Sequence, residues 1–337
     1  NPALKALGLP RFRLPSRNWS IFWLVVGSIT GGIIYDRREK KRIRNEWCER
    51  VSYLAKEPLS PLAMPRKVIV YMAPPPGDHI GVTEEHFRHY VKPILVAGAL
   101  DFEVKKGMAQ GEIRNMVAND IRNKRTGNVE GPDELLQPLN ELLTRDNTGG
   151  VLCIGRGAYR EYIDGVHEGW LGPTDNTSEA ADEAVKKTAI ENPTETAAET
   201  AAETTEVKEK NEPKKVPKAW IRPADYNEAE IDPRIKDMVP DPVAYVPQQH
   251  ILGFRNTPLR TYWYFTRRHL ADRVGEATAA AVIGSTRAWR EEDSLKGIEE
   301  VANWPTKWKR TAEEKGSEWI QPLVTDARVT EHLKVYE

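Results

Sequence analysis

The sequence predicts an α/β protein: a single N-terminal transmembrane helix, then a soluble body built on a parallel sheet, then a helix-rich, Trp-rich C-terminal region. Three observations lead there. The run from Trp19 to Tyr35 (WSIFWLVVGSITGGIIY) carries no charge, and its length is at the short end for a helix that crosses a bilayer. Beyond it, short apolar runs alternate with amphipathic ones, the pattern of strands covered by helices. Trp289, Trp304, Trp308 and Trp319 then accumulate near the C-terminus of a chain with ten tryptophans, as expected for a packed core or a protein interface.

Composition narrows the function. Basic (49) and acidic (50) residues nearly cancel, so no nucleic-acid partner is expected. Cys48 and Cys153 form neither a CxxC nor a twin-CxC pattern, so neither a disulfide framework nor a zinc site is expected. The chain begins at Asn1 rather than Met, which implies that the natural N-terminus is processed or lies upstream.

The boundaries follow from composition. Residues 1–18 form an N-terminal segment with Lys5, Arg11, Arg13 and Arg17, and residues 19–35 form the span. Trp19, Trp23 and Tyr35 place aromatics at both of its ends, as in an interfacial belt. Gly27 with Gly31, and Ser28 with Gly32, repeat a small-xxx-small spacing that lets two helix backbones approach in lipid. A signal peptide or a buried core helix is the plainer reading of an apolar run. Residues 36–65 are a basic juxtamembrane helix and linker. Arg37, Arg38 and Lys41, with Lys40, Arg42 and Arg44, form either a patch for anionic headgroups such as cardiolipin or a solvated face interleaved with Asp36, Glu39 and Glu46. By charge count this heavier cluster should stay on the cis side.

The α/β domain spans residues 66–172. Lys67 to Ala73 (KVIVYMA) reads as a buried strand stopped by Pro74-Pro75-Pro76-Gly77. Thr83 is expected to cap a helix that runs to about Gly98 and kinks at Pro93. Asp101 to Lys105 alternates as a strand, Gln110 to Arg125 is an amphipathic helix, and Asp133 to Leu143 is another. Val151 to Ile154 is a buried strand, and Tyr159 to Glu168 is helical. Residues 173–218 form an acidic Ala/Glu/Thr-rich insertion with too few large apolar groups to offset chain entropy, and are expected to be disordered. Residues 219–337 are the C-terminal strand-plus-helix region. In it Val243 to Phe254 reads as strand, turn, strand, and Thr257 to Gly284 as one long helix. Arg260, Arg267, Arg268 and Arg273 form its solvated face or a dock for an acidic partner.

The one local signal with chemical content is Gly149 to Ala158. A buried strand ends in Gly155-Arg156-Gly157 and opens a helix, a turn that can present backbone N–H groups to an anion, although most such turns bind nothing. His86 and His89 share a helix but have no further ligands nearby for a metal, and read as surface histidines.

The stretch Val151 to Val166 resembles the glycine-rich loop of diacylglycerol-kinase-type lipid kinases, a strand followed by G-G-D-G-T, two residues, E and a later N-G. Gly155, Gly157, Glu161 and Gly165 match. Ile154, Arg156 and Ala158 depart where a glycine, the acid and the hydroxyl belong, and Ala73 to Gly77 departs from that family's N-P-x-S-G loop. The resemblance implies a degenerate lipid-kinase-like fold without kinase chemistry, leaving Arg156 free to meet an anionic headgroup or a carboxylate.

A longer resemblance covers residues 1–172 and returns between Asp241 and Trp289. NPALKALGLPRFRLPSRNWSIFW, PRKVIVYMAPPPGDHI, HFRHYVKPIL, DFEV with QGEIR, and GRGAYREYIDGVHEGWLGP occur in order. Together they are similar to the large single-pass subunit of the fungal mitochondrial carrier translocase. That resemblance implies a non-enzymatic subunit without cofactors. Its N-terminus would lie in the matrix and its body in the intermembrane space, opposite to the charge count. It implies binding to the pore subunit, to other membrane subunits and to the small chaperone hexamer that delivers carriers. It also implies a link to assembly of an inner-membrane AAA protease. The alternatives from the residues themselves are a headgroup-binding membrane anchor, on Arg37 to Arg44 and Arg156, and a lipid kinase, on the Gly-Arg-Gly turn.

Overall fold

The computed structural model describes residues 16–58, 66–126, 149–174, 219–235 and 238–337. The expected helix at 133–143 and nearly all of the N-terminal segment, the linker and the acidic insertion lie outside the described residues.

Helix α1 (Arg17–Val51) contains the apolar run and continues past it without a break. Its 35 residues give a rod of about 52 Å at 1.5 Å per residue. The two halves differ. The apolar stretch is long and apolar enough to cross a membrane and none of it is buried. Beyond Tyr35 the helix packs on the body, with Asp36 and Val51 buried and Ile43, Trp47 and Cys48 against the core.

The body is a six-stranded sheet in the order β2-β1-β3-β4-β6-β5. Its strands are β1 (Lys67–Met72), β2 (Asp101–Lys106), β3 (Gly150–Ile154), β4 (Val243–Val246), β5 (Thr286–Ala288) and β6 (Lys334–Tyr336). All pairings are parallel except β5 with β6. Alternate side chains feed two cores, because successive residues of a strand point to opposite faces. Val68, Val70, Met72, Leu152, Ile154, Ala244 and Val246 face one core; Tyr71, Val151, Cys153, Val243 and Val335 face the other. Both faces are covered by helices, as a parallel sheet requires.

The first face carries α1, then α2 (Ile80–His86), which runs through a π-helical turn (Phe87–Val91) into α3 (Lys92–Ala97), and further along the chain α7 (Arg267–Ile283). Pro93 lacks an N–H, and the wide π turn absorbs the kink it imposes. Thr83 is not a cap. The helix starts at Ile80, and the buried Thr83 hydroxyl donates to Ala73 O at 2.8 Å, tying the helix to the end of β1.

The second face carries α4 (Glu112–Thr126) and α5 (Gly155–Leu171). These helices approach closely because α5 presents Gly165 and Gly169; a Cβ there would lie 2.7 Å from Arg114 O and 2.8 Å from Ile121 Cβ. Buried ion pairs lock the contact. Glu168 accepts from Arg114 Nη1 at 2.9 Å and Arg122 Nη2 at 2.8 Å.

The C-terminal region is not a separate unit, because it supplies β4, β5 and β6 to the same sheet as residues 66–172. Two further expectations are corrected there. Val243–Val246 is a strand but residues 247–253 are not: Pro247 has no N–H to give a ladder, and the Gln248 N–H is taken by Glu300 at 2.7 Å. The expected single helix from Thr257 is two, α6 (Thr257–Phe265) and α7, broken at Thr266. At the restart Asp36 of α1 accepts the Arg268 N–H in the first turn of α7 at 3.3 Å, where a helix N-terminus favours a carboxylate. The chain then continues through α8 (Ile298–Ala302), α9 (Thr306–Glu314) and α10 (Ala327–Thr330).

Candidate functional site

In an open parallel sheet, ligands bind beyond the carboxyl ends of the strands where the strand order reverses. Here β2 lies on one side of β1 and β3 on the other, so that point lies beyond Met72 and Ile154. The sequence places Ala73 to Gly77 and Gly155-Arg156-Gly157 there. Gly155 has φ +78, and a Cβ on it would meet Gln248 Oε1 at 2.9 Å. The positive φ favours glycine, and α5 begins at Gly155 rather than at Tyr159.

The crevice is filled from within. The N–H of Arg156, at the head of α5, donates to Glu300 Oε2 at 2.8 Å. The other oxygen of Glu300 accepts from Gln248 N at 2.7 Å and from the Tyr245 hydroxyl. A carboxylate of the protein itself thus sits where a helix N-terminus would hold a phosphate. Burial pushes the Glu300 carboxyl up to about 7, against the pull of these hydrogen bonds. Behind it Pro74, Pro75, Pro76, Trp304 and Trp319 leave a cavity of only about 10 Å³, room for at most one water, while on its other side Glu300, Gln248 and Tyr245 border an open pocket of about 600 Å³. Arg156 does not reach into the crevice as a free cation: it is buried, and its Nη1 donates to Lys296 O at 2.7 Å. Gly157 lies under the Trp319 ring, 3.2 Å from where its Cβ would be.

The rest of α5 is equally committed to the fold. Glu161, the acid that matches the kinase pattern, accepts from Gly111 N at 2.9 Å, Ile113 N at 3.0 Å and Trp319 Nε1 at 2.6 Å. It therefore caps α4, and burial raises it to about 7. His167 Nδ1 faces Ile163 O at 2.8 Å and its Nε2 accepts the Asp326 N–H at 3.1 Å, an arrangement that fixes a neutral ring. Burial also lowers its pKa.

Of the two helical histidines, His89 is exposed but His86 is buried, and burial lowers His86 to about 4. Among the described residues no group of His, Cys, Asp and Glu could hold a metal. Trp304 and Trp319 are core residues, and with Trp308 they form one aromatic cluster against the second face of the sheet.

The membrane-proximal residues are arranged differently. Nothing lies within 4 Å of a Cβ placed on Gly27 or Gly31, whereas one placed on Gly32 would lie 3.4 Å from the Phe265 ring. The Ser28 hydroxyl turns back to Leu24 O at 2.7 Å. The small-residue groove of α1 is thus open except at its body end. Arg37, Arg38 and Lys41 are exposed and make no ion pair with the described residues. Arg273 is exposed and lies 3.9 Å from Glu299, while Arg268 is tied to Asp36.

Glu300, Gln248 and Tyr245 carry no local sequence signal of a site, and Trp319 signals only a core or an interface. Glu300 lies 144 residues from its partner Arg156, and only the sheet topology brings them together.

A protein-family model described as inner membrane protein import complex subunit Tim54 matches residues 1–336. Three curated fungal proteins, each named mitochondrial import inner membrane translocase subunit TIM54, are similar along the chain. The Candida albicans protein is 38% identical, covering 100% of this chain and 96% of the relative. The Neurospora crassa protein is 36% identical over 99% of this chain and 80% of the relative, and the Saccharomyces cerevisiae protein 29% identical over 100% and 94%.

Proposed function

Because the chain belongs to the Tim54 family of inner membrane protein import complex subunits, we propose that it is the docking subunit of its translocase. It is a mitochondrial inner-membrane translocase subunit, and the family is one of transport subunits rather than enzymes. In the proposed reading α1 crosses the membrane once, the N-terminus faces the matrix and the body stands in the intermembrane space. There the body receives the small chaperone hexamer carrying multispanning carriers, while the span pairs with the pore subunit.

The observation that carries this reading is the division of labour between the two ends. The crevice where an α/β enzyme keeps its ligand is plugged by Glu300. The Gly27/Gly31 face of α1 is open, in the form that close helix pairing in lipid uses. Affinity purification of the chain from mild-detergent mitochondrial membranes, with partners identified by mass spectrometry, tests it. Recovery of a multispanning pore subunit and small intermembrane-space chaperones is expected; the chain recovered alone would sink the proposal. Protease treatment of mitochondria with a ruptured outer membrane should digest the body, and full protection would reverse the orientation.

A second, compatible reading has one observation in its favour. Arg37, Arg38 and Lys41 stand exposed and unpaired among the described residues where α1 leaves the apolar run, a position suited to anionic headgroups such as cardiolipin. Flotation with liposomes should then strengthen with cardiolipin and weaken with salt; indifference to both removes this reading.

A further inference from the structure

Helix α6 is short, aromatic and uncovered. It reads TPLRTYWYF, and none of its residues is buried. Tyr262 is 61% exposed and Phe254, in the turn before it, 92%. Leu259 and Tyr264 are also exposed. An isolated helix of this length is marginal in water, and contiguous exposed aromatics are rare on a soluble surface. The charge pattern is as uneven as the apolar one. From Pro242 to Ala271 there is no Asp or Glu, while Arg255, Arg260, Arg267 and Arg268 fall in that stretch.

The position of α6 identifies what covers it. Its last residue, Phe265, packs on Gly32 of α1 with ring atoms 3.4 Å from the glycine's would-be Cβ. Arg268, just beyond, lies over the Tyr35 ring at 5.5 Å and donates to Asp36. Gly32 belongs to the uncharged run, three residues or about 4.5 Å inside its end at Tyr35. The end of α6 is therefore held at the depth where the span passes from hydrocarbon to headgroups. Tyrosine and tryptophan favour that layer, and arginines beside them meet anionic lipid.

We propose that α6, with the turn at Phe254, lies in the interfacial layer of the same bilayer that α1 crosses, as a second membrane contact of the chain. The occupant of its exposed face is lipid: Phe254, Leu259 and Tyr262 enter the boundary between headgroups and acyl chains, and the exposed Arg255, Arg260 and Arg267 reach the phosphates. The body is thus attached at two points, which stops it from swinging about α1.

This inference rests on α1 being the anchor, so the test separates the two. The full chain with Cys48→Ser is reconstituted in phosphatidylcholine vesicles containing cardiolipin; Cys153 is buried, its thiol pKa is raised by burial, and it stays unlabelled. An environment-sensitive fluorophore is placed in turn on Leu24→Cys, Tyr262→Cys, Phe254→Cys and, as a control on the body, Val324→Cys, all positions with exposed side chains. Deeply spin-labelled lipid should quench the probe at 24. Lipid labelled near the headgroup should quench those at 254 and 262, and both should be shielded severalfold from aqueous iodide relative to 324. If iodide quenches 254 and 262 as readily as 324 while 24 is quenched from the lipid, the anchor stands and this proposal falls. If 24 is not quenched from the lipid, the anchor reading falls and takes the proposal with it. The two probe sites on the α6 segment report independently, so a variant that disturbs one leaves the other to decide.

Discussion

Replacing Glu300 by alanine tests whether an internal carboxylate really takes the place of a ligand in the crevice. Its two oxygens accept from Arg156 N, Gln248 N and the Tyr245 hydroxyl. A buried donor left without an acceptor costs roughly 1–3 kcal/mol, and water entering the space recovers part of that. A total loss on the order of 4 kcal/mol is expected at pH 5. The value at pH 8 is lower, and the sign can be worked out. The carboxyl titrates near 7 in the fold against an ordinary 4.5, raised by burial. The fold therefore favours its protonated form, so its contribution is complete below pH 4.5 and is lost as the pH rises through 7. Between pH 5 and pH 8 that loss is about 2 kcal/mol. Glu300→Ala should thus destabilise by on the order of 2 kcal/mol at pH 8 and about twice that at pH 5. At roughly 2–4 °C per kcal/mol for domains of this class, melting in the same detergent should drop by about 5 °C at pH 8 and about 10 °C at pH 5. Tryptophan fluorescence reports it directly, since Trp304 and Trp319 line the crevice. No drop would mean that the three donors are satisfied without this carboxyl, and an equal drop at both pH values would mean that folding does not raise its pKa; either result refutes the reasoning.

His86 predicts the opposite slope. Burial lowers its pKa from 6.5 to about 4, so its contribution is complete above 6.5 and is lost as the pH falls through 4. That amounts to about 2 kcal/mol by pH 5, and His86→Leu should melt with a correspondingly smaller decrease between pH 7 and pH 5; an unchanged decrease would show that the ring is not held neutral. Gly275→Val should destabilise by about 1–3 kcal/mol as overpacking does, since even a Cβ there falls 2.3 Å from Trp47 Cδ1; wild-type melting would contradict the α1–α7 contact. Gly27→Leu with Gly31→Leu should leave melting unchanged, because nothing lies within 4 Å of either position, yet should lower recovery of the membrane partner on purification; undiminished recovery means the pairing face lies elsewhere on α1.

The parallel core was legible because its signals are local. Lys67 to Met72 and Gly150 to Ile154 are apolar runs bounded by proline and glycine, and they are adjacent strands. Helix α4 was legible from Ile113, Val117 and Ile121 at helical spacing. What could not be read locally depends on distant partners. The break at Thr266 is followed by an N–H, that of Arg268, bonded to Asp36, 232 residues away, and no turn residue marks it. Thr83 has the composition of a cap but is recruited by the end of β1. The Gly-Arg-Gly turn was legible as the opening of a helix; that Glu300 accepts its first free N–H was not, because a glutamate in GIEEVANW carries no mark of where it points.

The long continuation of α1 gives the anchor its mechanical meaning. A span joined to a body by a flexible tether leaves the body's orientation free. Here the helix that leaves the apolar run at Tyr35 continues unbroken to Val51, about 24 Å at 1.5 Å per residue, and is fastened along that length. Asp36 binds Arg268, the Trp47 indole donates to Asp272 at 3.0 Å over the notch at Gly275, and the Cys48 thiol faces Pro93 O. Helix α7 receives the first two of these contacts and α3 the third, and both helices pack in turn on the same core as β3 and β4. Tilting the span therefore means shearing α1 across α7, and a close-packed interface resists that far more than a linker does. In the docking role proposed above, this would hold the binding faces at fixed height and angle above the membrane, so that a partner bridging the body and the span need not order the connection itself.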